Sequence, residues 1–67
     1  MKTKEAEDNI LELLEVKGGT IPLRALKFLV ARKDPSIEVV FDIALVNLQD
    51  IKKVCVYEND IWFVEIM

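Results

Sequence analysis

Apolar residues recur at intervals of three and four along the first fifty positions, then alternate more densely in the last fifteen. Ala6, Ile10, Leu13 and Leu14 form one stripe at the helical period, which predicts a first helix over about residues 3–17. Thr3 suits its N-cap, and Glu5, Glu7 and Asp8 place negative charge where the helix dipole favours it. Gly18-Gly19 stops it, because glycine readily takes the left-handed cap conformation. Thr20-Ile21 is too short for a helix and reads as a short strand able to join a sheet. Pro22 suits a helical first turn, so a second helix is expected over about residues 22–32. Its core face is Leu23, Leu26, Leu29 and Val30, with Arg24, Lys27 and Ala31 opposite and Phe28 at the boundary.

Asp34 followed by Pro35 is a strong helix start, and the periodicity then predicts one continuous third helix over residues 35–50. Ile37, Phe41, Ala44, Leu45, Leu48 and Ile51 make the inner stripe. Glu38, Val39, Asp42, Ile43, Val46, Asn47 and Gln49 fall outside it. Residues 53–58 and 61–67 are rich in Val, Ile and aromatics and flank the turn signal Asn59-Asp60, which predicts a hairpin. A two-residue loop would set Tyr57 against Trp62, Cys55 against Val64 and Val56 against Phe63. Both faces of that hairpin are apolar, so one of two sets stays outside: Tyr57, Trp62, Val64 and Ile66, or Val56, Ile61 and Phe63. The last strand, with only Asp60 and Glu65 as charges, reads as an unguarded sheet edge.

Sixty-seven residues allow one domain, spanning 1–67. A chain this short buries only about 60% of its unfolded surface and usually needs a staple. One cysteine, Cys55, excludes an intrachain disulfide, and with no histidine a zinc cluster lacks its usual ligands, so no metal or other cofactor is expected. The remaining staple is a partner, which the 52% apolar content also favours. Catalysis has no foothold: there is no histidine for proton transfer, no glycine-rich phosphate loop, and little room for a small-molecule substrate pocket. The polar start MKTKEAEDN carries no signal-peptide core, and no apolar run approaches the roughly 20 residues of a membrane span. A lone thiol fits a reducing, cytoplasmic setting, and Cys55 itself reads as a small buried hydrophobe.

The order helix, short strand, helix, helix, hairpin resembles the winged helix-turn-helix superfamily. Ile10 to Leu14 with Gly18-Gly19 and Thr20-Ile21 match its first helix and strand, and Pro22 to Val30 its second helix. Phe41, Ala44-Leu45, Leu48, Ile51 and Val54 match its third helix and the start of its wing. The resemblance covers nearly the whole chain but rests on no invariant motif. It implies an α+β winged helix: three helices, a two-stranded β-hairpin wing, and a short strand between helices one and two. It also implies DNA binding through the third helix, or, as in many members, a protein-interaction role.

Two departures weigh against DNA. From Asp34 to Ile51 there is no Lys or Arg, and the charges Asp34, Glu38, Asp42 and Asp50 are all negative. The family's base-reading positions hold Glu38, Val39, Asp42, Ile43 and Val46, and the wing tip is Glu58-Asn59-Asp60. The net charge is −3, whereas DNA-binding domains are usually basic. Two readings of Val39, Ile43 and Val46 stand: they are core in a differently rotated helix, or they form an exposed strip for a partner.

The expectation is a non-catalytic protein-interaction module, an accessory or self-associating factor in a nucleic-acid-handling assembly. Its partner is another protein or a second copy. It docks through Val39, Ile43 and Val46, rimmed by Glu38 and Asp42, and through Tyr57, Trp62 and Phe63. The alternative is a DNA-binding regulator that contacts phosphates through Arg24, Lys27, Arg32 and Lys33, a set that reads equally as a solvated face.

Overall fold

The computed structural model describes residues 2–67. The apolar stripes become α1 (Lys2–Val16), α2 (Leu23–Lys33), α3 (Pro35–Glu38) and α4 (Phe41–Asp50). The strands are β1 (Thr20–Pro22), β2 (Val54–Asn59) and β3 (Ile61–Ile66). The chain is thus α+β, with four helices where three were expected and a three-stranded antiparallel sheet in the order β1-β3-β2.

Helix ends follow local chemistry. After α1, Gly18 and Gly19 have φ of 88° and 98°. Gly18 N–H donates to the Glu15 carbonyl at 3.3 Å and Gly19 N–H to the Leu14 carbonyl at 2.6 Å. That bond pair is the Schellman cap, which satisfies carbonyls the helix leaves open. The same pair closes α4, where Lys52 donates to Gln49 and Lys53 to Leu48, with Lys52 at φ 59°. Thr3 lies inside α1, not at its cap, and Pro22 ends β1 instead of opening α2.

The continuous third helix does not form. Asp34 Oδ1 accepts from Ser36 N–H at 3.0 Å and from Ser36 Oγ at 2.7 Å, capping α3 with Pro35 in its first turn. One turn later Val40 sits at φ −105°, ψ 7°, outside helical geometry, and its N–H donates three residues back to Ile37. Two successive β-branched residues, Val39 and Val40, favour a break here because their side chains crowd the preceding turn. The apolar stripe survives it: Ile37, Phe41, Ala44, Leu45 and Leu48 are all buried. Ile51, expected on that stripe, is 59% exposed because α4 ends at Asp50.

The hairpin register differs by one residue from expectation. Only Asp60, at φ 68°, stands between the paired Asn59 and Ile61, so Val56 opposes Val64, Tyr57 opposes Phe63 and Glu58 opposes Trp62. That single left-handed residue closes the hairpin and sets this register. β3 is the central strand, with β1 on its other side through Thr20↔Glu65 and Pro22↔Phe63. The edges are therefore β1 and β2, not the last strand.

Side chains alternate across the sheet. Val54, Val56, Val64 and Ile66 turn with Ile21 toward the helices and join a core built on Ala6, Ile10, Leu14, Leu26, Val30 and the α3–α4 stripe. Leu13, Leu23 and Leu29, expected in the core, are only half-buried. No charged or polar residue is buried among the described residues. Glu7 Oε2 accepts from Asn47 Nδ2 at 3.3 Å, which ties α1 to α4 at the core's margin.

Candidate protein-docking surface

The turn from α3 into α4 points three apolar side chains at solvent. Val39 is 84% exposed, Ile43 57% and Val46 52%. They are not core, so the rotated-helix reading falls away. Glu38 and Asp42 are exposed beside them. Asp42, Ile43, Val46 and Asn47 line a shallow depression of about 240 Å³.

On the other side of Asp42 lies a deeper groove of about 300 Å³, between the start of α2, the start of α4 and the base of β3. Pro22, Leu23, Phe41 and Leu45 line it, Arg24 and Lys27 come from α2, Asp42 from α4, and Ile61 and Trp62 from β3. Trp62 is half exposed there. The groove brings together residues that the sequence reading assigned to rival surfaces: Arg24 and Lys27 to DNA, Asp42 and Trp62 to protein. Sequence reasoning missed the groove because it depends on how α2 packs against β3. The available signal was Pro22, the last residue of β1 and the one immediately before α2, which joins the two without a loop.

The hairpin aromatics do not form one cluster. Tyr57 and Phe63 stack on the solvent face of the sheet, ring centroids 5.5 Å apart and 19° from parallel. Trp62 alternates to the opposite face, toward the groove. Partial burial, with smaller contributions from Glu65 and Cys55, raises the Tyr57 hydroxyl above its ordinary pKa. Cys55 is a free thiol, half-buried on the same face.

The four cations also divide. Arg24 and Lys27 share the groove. Lys33 lies nine residues beyond Arg24, which at about 100° per residue turns it to the other side of α2. Its Nζ pairs with Glu12 of α1 at 3.4 Å. Arg32 sits 5.9 Å from the centre of the exposed Phe28 ring. They do not make one basic patch.

Among the described residues no three His, Cys, Asp or Glu side chains gather as a metal set. No helix is long and apolar enough to cross a membrane. No protein-family model matches the chain, and no curated protein or solved structure matches it.

Proposed function

We propose that the chain is a non-catalytic winged-helix protein-interaction module, an accessory or self-associating factor of a nucleic-acid-handling assembly. The observation that carries this reading is the strip Val39, Ile43 and Val46, exposed on the outward side of α3–α4 with no cation between Asp34 and Ile51. Phosphate would be repelled from that side, while an apolar partner surface would gain from covering it. Glu38 and Asp42 rim the strip and favour a partner with basic residues at its margin. The order of elements, with β1 pairing beside the hairpin, supports the winged-helix reading.

The test is solution mass by light scattering at low and high salt, on the wild type and Ile43→Asp. A dimer that ignores salt and is lost in Ile43→Asp is the expected self-associating case. A monomer under all conditions sinks self-association. If the strip then also fails to cross-link to any protein when Ile43 carries a photoreactive side chain, the module reading fails with it.

The DNA reading retains one supporting observation: Arg24 and Lys27 have no carboxylate within ion-pair distance among the described residues. Two phosphate contacts give a log–log salt slope of only about −1.8, far below that of a protein making 6–10 contacts. A slope near that value, abolished in Arg24→Glu/Lys27→Glu, is the outcome that favours DNA.

A further inference from the structure

We infer that the groove between α2, α4 and β3 is a peptide site, separate from the Val39–Ile43–Val46 strip. Its occupant is an acidic amphipathic segment of another protein, with one bulky apolar side chain flanked by carboxylates. The groove's volume of about 300 Å³ is at the small end for a binding pocket and is enough for one or two large side chains. Its lining is apolar, with Leu23, Phe41 and Leu45 beneath and Trp62 at the rim. Tryptophan and arginine at the edge of an apolar pocket are the residue types that most often anchor protein interfaces.

Charge selects the occupant. Arg24 and Lys27 are one turn apart on α2, exposed, and both line the groove. Among the described residues three lysines pair with carboxylates, Lys2 with Glu5, Lys4 with Asp8 and Lys33 with Glu12, while Lys17, Arg32, Lys52 and Lys53 make no such pair. Arg24 and Lys27 make none either, although Asp42 lines the same groove, so the groove holds its two signs apart. Two acidic side chains spaced i, i+3 or i, i+4 on a partner helix match this pair, because such positions lie about 5–6 Å apart on one face. Asp42 opposes them and is placed to accept a hydrogen bond from a donor on the occupant's other side. A nucleic acid fits less well, since a phosphate backbone held by Arg24 and Lys27 leaves the apolar floor of Leu23, Phe41 and Leu45 without a matching side chain.

Trp62 is the chain's single tryptophan and stands at the groove's rim, so its emission reports occupancy. The probes are three synthetic peptides with a Leu-Phe centre, flanked by glutamates, by lysines or by serines, and an oligothymidylate. The expected result is a saturable Trp62 shift with the glutamate peptide alone. Arg24→Glu/Lys27→Glu should weaken it by about tenfold or more, the loss for an interface stripped of charge-assisted hydrogen bonds. Ile43→Asp should leave it intact, which separates this site from the strip. Circular dichroism checks that the double variant folds; if it does not, Lys27→Ala serves, with a smaller loss expected. Equal shifts with all three peptides, indifference to Arg24→Glu/Lys27→Glu, or a response to oligothymidylate in place of the acidic peptide overturns the proposal.

Discussion

Gly18 and Lys52 hold the same left-handed cap position at the ends of α1 and α4, and Gly19 follows with positive φ as well, but only the two glycines suit that conformation. Lys52→Gly should therefore stabilise the fold by about 1 kcal/mol, the steric penalty of a Cβ in that conformation. Gly18→Ala should cost about the same, since an added Cβ meets nothing within 4 Å. Gly19→Ala should cost more, because its Cβ would also stand 3.2 Å from Ile66 Cγ2. Urea denaturation orders the three, and a neutral Gly19→Ala would refute the packing argument. The glycine pair was legible in the sequence as a helix stop. Lys52 was not, because nothing in a lysine announces a positive φ. Asp34 was legible as a cap, and it carries a pH signature. Its carboxylate is stabilised first by the Ser36 hydroxyl and then by the Ser36 N–H, which lowers its pKa below the ordinary 3.8. The unfolded chain thus takes up this proton before the folded one does. The cap's contribution is complete above the unfolded value and is lost as pH falls through the lower, folded one. Asp34→Asn keeps a capping oxygen without titrating, so its stability should fall less between about pH 5 and pH 2.

At the scale of elements, α4 separates core from surface within two residues. Phe41 is buried and Ile43 is not. Phe41→Ala should cost about 3–5 kcal/mol, the range for emptying an aromatic from a core. Ile43→Asp should change stability by no more than about 0.5 kcal/mol, as expected for an exposed site. Thermal melts at a concentration dilute enough for the wild type to be monomeric decide this, and a large loss in Ile43→Asp there would mean the strip is covered within the monomer. The inward stripe from Ile37 to Leu48 was readable because spacing alone fixes it. The break at Val39-Val40 was not, because the stripe's period continues across it. The hairpin shows the converse. Its existence was plain from Asn59-Asp60, yet one residue of loop length shifted the register and put Phe63, in place of Trp62, on the face of Tyr57. A period of two makes any single-residue error total.

For the whole molecule, the decisive quantity is the small margin of stability. At roughly 0.05–0.15 kcal/mol per residue, a chain of this size has about 3–10 kcal/mol. Large apolar side chains left outside, Val39, Ile43, Val46 and Trp62 among them, add nothing to it until a partner covers them. If the strip self-associates as proposed, the melting temperature should rise with protein concentration in the wild type and stay fixed in Ile43→Asp. The division of the four basic residues and the groove beside Trp62 lay beyond sequence reasoning, since both depend on distant elements meeting. The central place of β3 carries a consequence for how the chain comes into being. β1 and β2 each pair with β3, so the sheet has no partial form containing β1 until Ile61–Ile66 has been made. A ribosome adding about 5–20 residues per second leaves β1 waiting roughly 2–8 s for that segment. Through those seconds Ile21 lacks the Val64 partner it meets in the finished sheet, so β1 can join the fold only once the last strand has been made.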